Sequence, residues 1–68
     1  MTVATQMQQT IANCQGVLSN LTTFSLETED QAAKQMFQNL AKQQQQILDN
    51  LNARYQYIQS QEPQFKEQ

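Results

Sequence analysis

The chain has 68 residues, with six acidic and four basic side chains, a net charge of −2, one cysteine and no histidine. A chain of this length forms one domain, residues 1–68, and buries only about 60% of its unfolded surface, so its stability is marginal. Small scaffolds usually add disulfides, a metal or a partner chain. The cysteine and histidine content excludes an intrachain disulfide and the usual metal sites. We therefore expect association with another chain.

The charge balance also excludes several partners and compartments. Binding to nucleic acid requires clustered Lys and Arg, which this chain lacks, so we expect no nucleic-acid partner. We find no basic region followed by an apolar run at the N-terminus and no stretch near the ~20 apolar residues that span a bilayer. The sequence therefore predicts a protein that is not secreted and not inserted directly into a membrane. The cytoplasm is the expected compartment, because a lone thiol persists under reducing conditions.

Apolar residues in the first part of the chain recur in alternating steps of three and four residues, which is the spacing of one face of an α-helix. This stripe runs through Ala4, Met7, Ile11, Cys14, Leu18, Leu21, Ser25 and Thr28 and is widened by Val3, Thr10, Val17 and Phe24. A stripe of this breadth is typical of a helix in a globular bundle. We predict a helix over about residues 3–26, with Thr2 as its N-cap.

The stretch from Ser25 to Gln31 interrupts this pattern. The step from Thr28 to Ala33 is five residues, which differs from the insertions of three or four residues that a heptad repeat accommodates. In a single straight helix the apolar stripes before and after this step would therefore lie on different sides. Thr28 and Gln31 have the spacing of a capping box. We therefore predict a turn at residues 26–28 and a second helix that begins at Glu29, with a kinked single helix as the alternative.

The second helix is predicted over about residues 29–61, followed by a tail at residues 62–68 that begins where Pro63 stops the helix. Its stripe runs through Ala33, Phe37, Leu40, Gln44, Ile47, Leu51, Arg54 and Ile58, widened by Ala41, Leu48 and Tyr55. The glutamine run at residues 43–46 lies inside this periodic pattern, and we predict it to be helical because Gln is a good helix former. Gln44 either fixes the register of the helices or sits at a hydrated edge. We expect Phe65 to pack on the end of the second helix.

Together these elements predict an all-α fold, an antiparallel two-helix hairpin that dimerises into a four-helix bundle. Two helices alone leave much of each stripe in water, and a second copy covers it. The residues that we assign to the core or interface are Met7, Ile11, Cys14, Leu18, Leu21, Phe24, Phe37, Leu40, Ile47, Leu48, Leu51, Tyr55 and Ile58.

The face of the first helix opposite its stripe carries no charge, since no Asp, Glu, Lys or Arg precedes Glu27. We define the candidate partner face by the small uncharged residues on this side of the helix, Asn13, Gly16, Ser19 and Asn20. Two interpretations remain open. This face is either a solvated helix surface or a second contact surface on which another helix approaches closely.

Groups that carry catalysis or bind ligands are few. Cys14 lies within the apolar stripe with no histidine to act as a base, so we expect it to pack in the core, with a symmetric interchain disulfide as the alternative. Glu27, Glu29 and Asp30 are explained by the start of a helix. Arg54 is expected to lie over a tyrosine ring or to pair with a carboxylate. We assign no catalytic, cofactor-binding or metal-binding residues, and we expect no cofactor and no enzymatic activity.

Several segments resemble a known family. They are Met1 to Ala4, Gln9-Thr10, Leu21 to Thr28, Ala33 to Phe37, Gln46 to Leu51 and Glu62 to Lys66. Together they are similar to a small family of unknown function from endospore-forming Firmicutes, whose members are encoded beside the genes of the spore dipicolinic-acid channel. A related domain is fused to a spore membrane protein associated with heat resistance.

The resemblance implies a role in sporulation or germination, and a location in the forespore or spore. Combined with the helical pattern, it leads us to expect a non-catalytic, spore-associated homodimer with a structural or assembly role. The alternative is an adaptor that docks on a spore membrane-channel or heat-resistance membrane protein.

Overall fold

A computed structural model describes residues 2–61 as two α-helices that pack against each other in an antiparallel hairpin. The first helix, α1, spans Val3–Glu27 and the second, α2, spans Gln31–Ser60. No strand occurs in this part of the chain. The predicted all-α hairpin is confirmed, and so is the break between two helices in place of a kink. Pro63 and Phe65, for which the sequence predicted a helix stop and a packing contact, lie outside the described residues.

The two ends of α1 are closed by threonines. The Thr2 hydroxyl accepts a hydrogen bond from the Thr5 backbone N–H at 3.2 Å, which confirms Thr2 as the N-cap. At the other end, the Thr28 backbone N–H donates to the Phe24 carbonyl at 3.0 Å. Thr28 itself has extended dihedral angles, φ −74° and ψ 142°, and this conformation ends the helix.

The N-cap of α2 is Asp30, and the predicted capping box that begins at Thr28 is wrong. The Asp30 carboxylate accepts from the Ala33 N–H at 3.2 Å, and the helix begins at Gln31 instead of Glu29. Thr28 is unsuited to this role because its N–H still belongs to the last turn of α1, while its hydroxyl accepts from the Asp30 N–H at 3.4 Å inside the turn. The turn therefore occupies residues 28–30. A carboxylate also suits this position, since the helix dipole favours negative charge there.

The contact between the helices forms a thin core. Its buried apolar side chains are Ala4, Ile11, Leu48 and Ile58. No large side chain among the described residues is fully buried. Ser25 is also buried, and its hydroxyl donates to the Thr22 carbonyl of its own helix at 2.7 Å, so this polar group remains satisfied.

One side-chain hydrogen bond joins the middle of the two helices. The Gln44 amide donates through Nε2 to the Cys14 backbone carbonyl at 3.0 Å, and both residues are half-buried. A carbonyl oxygen has two lone pairs, so it can accept this bond in addition to its bond within α1. Of the two interpretations of Gln44, the structure supports the one in which it fixes the register.

The location of the N-cap is testable by substitution. Asp30→Ala should lower the free energy of unfolding by about 1 kcal/mol because the Ala33 N–H loses its acceptor. Thr28→Ala should cost less, since its weak 3.4 Å bond lies within the turn. Urea unfolding followed by circular dichroism at one fixed protein concentration measures both changes. A larger loss for Thr28→Ala than for Asp30→Ala would contradict the assignment.

The bond across the hairpin leads to a second prediction. Gln44→Ala should lower the free energy of unfolding by about 0.5–1.5 kcal/mol through the lost hydrogen bond. Gln43→Ala is the matched control, because Gln43 is exposed in the same helical turn and should change stability by less than about 0.5 kcal/mol. Equal effects of the two substitutions in urea unfolding would show that the bond to Cys14 is energetically silent.

Candidate association surface

One flank of α1 carries a row of exposed residues that are mostly apolar. Val3, Thr10, Val17 and Phe24 are seven residues apart, which is almost two helical turns, so they lie in one line along the helix. All four are exposed. Each is followed directly by a residue of the stripe that points toward α2, such as Ala4 after Val3 and Ser25 after Phe24.

A corresponding row lies on α2. Leu40, Ile47 and Arg54 are also seven residues apart and exposed, and Met36 extends the row toward the turn. Each member of the repeat again precedes a residue that points toward α1, as Ile47 precedes the buried Leu48.

The two rows lie on the same side of the hairpin. In both helices the exposed row precedes the inward row by one residue. The exposed row therefore lies about 100° around the helix from the inward row, in the same sense for both helices when each is viewed from its N-terminus. Because the helices run in opposite directions, equal rotations bring both rows to one side. We call this side the apolar face and define it by Val3, Val17, Phe24, Met36, Leu40 and Ile47. These side chains are between 37% and 58% exposed.

The phase of the α2 stripe differs from the prediction. The sequence placed Leu40, Ile47 and Arg54 at its centre and Leu48 on its flank, whereas the structure buries Leu48 to 5% exposure and leaves Ile47 about half exposed. Two neighbouring rows of α2 are both apolar, so periodicity alone does not decide which of them points toward α1. Packing against α1 selects the row of Leu48.

The other predicted core residues are covered to different degrees. Ile11, Leu48 and Ile58 are buried, and Phe24, Leu40 and Ile47 are exposed. The half-buried members are Met7, Cys14, Leu18, Leu21, Phe37, Leu51 and Tyr55. Contact between α1 and α2 therefore covers only part of the stripe, and the burial of the remaining part at a subunit interface stays a prediction.

A hollow lies near the turn. The rings of Phe24 and Phe37 have centroids 5.4 Å apart and are tilted by 54°. Together with Glu27 and Thr28 they line a cavity of about 330 Å³ that is open to solvent. The hollow thus combines two aromatic rings with one carboxylate. Sequence analysis missed it because Phe24 and Phe37 come together only through the hairpin, and neither helix pattern alone indicates a cavity.

The opposite end of the hairpin presents a cation. The guanidinium carbon of Arg54 lies 4.8 Å from the centroid of the Tyr57 ring, which confirms the predicted stack on a tyrosine. Both side chains are exposed. Stacking uses the flat face of the guanidinium, so its in-plane N–H donors remain suited to bind a carboxylate.

The candidate partner face lies away from α2, and all four of its residues, Asn13, Gly16, Ser19 and Asn20, are exposed. A Cβ added at Gly16 would meet no atom within 4 Å. Packing within the hairpin therefore does not require glycine at this position.

The structure brings together few groups that could bind a ligand. Within residues 2–61, no three His, Cys, Asp or Glu side chains converge as metal ligands. None of the helices in that range is long and apolar enough to cross a membrane.

Comparison with known proteins gives a family and no characterised relative. No curated protein and no solved structure matches the chain. A family model described as "Protein of unknown function (DUF1657)" matches residues 7–54, which span most of α1, the turn and most of α2. The matched segment includes the hollow, the Gln44 hydrogen bond and most of the apolar face. The chain therefore belongs to the DUF1657 family of proteins of unknown function.

Proposed function

We propose that this protein is non-catalytic and acts through self-association, with the apolar face buried between two copies in a four-helix bundle. The observation that carries the proposal is the apolar face itself, a set of half-exposed aliphatic and aromatic side chains that lie on one side of both helices. Exposed apolar patches of this kind mark interaction sites. A second copy offers the same face, so one surface can cover itself about a two-fold axis.

The dimensions of the hairpin support a dimer of ordinary size. Its Cα atoms extend over 50 × 17 × 10 Å, so it is a single layer of helices. Domains are usually built from two packed layers around a core, and a second hairpin supplies the missing layer. The broad face spans roughly 850 Å² between Cα atoms (50 by 17 Å), so it has room for a stable interface, which buries ~800 Å² per partner.

The charges on this side of the hairpin also suit burial at an interface. The middle of the apolar face, around Val17, Leu40 and Ile47, carries no charged residue. Interface centres are similarly depleted of charge, and polar groups are kept at the rim.

We also propose that this assembly has a structural role in sporulation, in the cytoplasm of the forespore or in the spore. The support is the resemblance of the segments around Leu21 to Thr28 and Glu62 to Lys66 to the spore family. Immunoblotting across a sporulation time course tests this proposal. Equal abundance in vegetative cells and in sporulating cells would contradict it.

Self-association is tested by placing a charge at the centre of the face. Ile47→Glu should raise the dimer dissociation constant by about 100-fold or more. The dimer would bury two carboxylates, one from each copy, with no cation beside them, and such burial is costly. Gln46→Glu is the control, since this neighbouring residue is exposed and lies about 100° around α2 from Ile47, outside the apolar face. Sedimentation equilibrium over a range of protein concentrations gives the constants. A folded, monomeric wild-type protein at micromolar concentration would refute the proposal.

A second candidate function is an adaptor that docks through the candidate partner face on a spore membrane-channel or heat-resistance membrane protein. The observation that favours it is Gly16, whose place in the middle of α1 costs helix stability of about 1 kcal/mol relative to Ala without any packing need in the hairpin. Small side chains at an interface let helices approach closely.

The adaptor function predicts that the two surfaces work independently. Ser19→Glu combined with Asn20→Glu should abolish co-precipitation of the channel or heat-resistance proteins from membranes of sporulating cells, because it places two charges in the contact. The dimer mass in solution should stay the same. Co-precipitation that survives the double substitution would identify this side of α1 as a solvated surface.

A further inference from the structure

We infer that the two copies pack antiparallel, and that the hollow near the turn of each copy receives Arg54 of the other. This inference rests on the self-association proposed above and specifies its geometry. It names the partner of the hollow as a guanidinium group, presented by a second copy of the chain.

The argument starts with the distribution of charge along the apolar face. Glu27 lines the hollow at the turn end, and Arg54 stands in the row of Leu40 and Ile47 toward the open end. Of the other charged residues of α2, Lys42 and Asp49 lie on the side of the helix turned away from the face, and Lys34 is half-buried in the row of Leu48 that points toward α1. The face is therefore negative at one end and positive at the other.

A two-fold axis can relate two such faces in two ways. With the axis along the helices, both turns lie at the same end of the bundle, so Glu27 approaches its own copy and Arg54 does the same. With the axis perpendicular to the helices, each turn lies beside the open end of the other copy. Like charges across an interface are unfavourable and opposite charges fix the register, so the second arrangement is favoured.

Axial distances agree with the antiparallel arrangement. At a rise of about 1.5 Å per residue, α1 is about 37 Å long, and Arg54 stands about 35 Å along α2 from the turn. A two-fold axis that crosses the hairpin at the middle of α1 therefore places the open end of one copy beside the turn end of the other. It brings Arg54 of one copy to the level of Phe24 and Glu27 of the other.

The hollow has the chemistry that a guanidinium requires. Phe24 and Phe37 line it with aromatic rings, whose faces attract cations, and the Glu27 carboxylate supplies a charged acceptor. Arg54 already lies against an aromatic ring, that of Tyr57, and its in-plane donors can reach a carboxylate without losing that stack. Each dimer contains two equivalent sites of this kind, so any change in one residue acts twice.

A charge exchange tests the pairing. Arg54→Glu and Glu27→Arg should each raise the dimer dissociation constant by about tenfold or more, because each places like charges together at both sites. The double variant should return to within about threefold of the wild-type constant. Lys42→Glu, on the side turned away from the face, is the control and should have little effect. Single variants that weaken the dimer without rescue in the double variant would overturn the pairing.

The orientation is measured separately by spin labelling. In a Cys14→Ala background, a label at Glu29→Cys reports the distance between the two turns of a dimer by pulsed electron resonance. The antiparallel bundle predicts about 40 Å, from the length of α1, and a bundle with both turns at one end predicts less than about 20 Å. A dimer with the short distance would overturn the antiparallel arrangement and leave self-association intact. A wild-type protein that sediments as a monomer would instead refute the proposed function.

Discussion

A helix in a hairpin has a single neighbour, and this constraint governs the rest of the structure. Each helix of this chain carries an apolar stripe about two residue rows wide, whereas its contact with the other helix covers one row more completely than the other. In α2, Leu48 is buried while its neighbour Ile47 is about half exposed, although both are large aliphatic residues. The uncovered rows lie on one side because the helices are antiparallel and both stripes widen in the same rotational sense. The apolar face is thus a direct consequence of connectivity and periodicity.

Specific polar contacts lie at the turn and at the middle of the hairpin. Asp30 begins α2 immediately after the extended turn, and Gln44 joins the middle of α2 to the Cys14 carbonyl. Because the core is thin, such contacts contribute a larger share of the specificity than they would in a large domain. In this register of the helices, Phe24 lies beside Phe37 and both rings line the hollow near the turn. A bond such as that of Gln44 to Cys14 favours this register, so polar contacts within the hairpin and the shape of the proposed interface are linked.

The proposed functions use different sides of the same hairpin. Self-association uses the apolar face, whose ends carry the complementary Glu27 and Arg54, whereas the adaptor function uses the uncharged side around Gly16. A four-helix bundle formed through the apolar face would leave Ser19 in solvent, whereas Asn13 and Asn20 lie in line with Glu27 at the margin of that face. A bundle of this kind needs no catalytic group, and association alone would stabilise a chain whose single hairpin buries little surface.

The sequence alone determined the fold class, the two helices, the Thr2 cap and the helical state of the glutamine run, because apolar periodicity and capping preferences are local properties. It misplaced the N-cap of α2, since Thr28 and Asp30 are both good caps and only the end of α1 decides between them. Periodicity also left the phase of the α2 stripe open, because two adjacent rows are apolar. The tertiary structure decided that Leu48 points inward, that Gln44 bonds to Cys14, and that Phe24, Glu27 and Phe37 line an open hollow. These features depend on which residues meet across the turn, and a one-dimensional pattern does not contain that information.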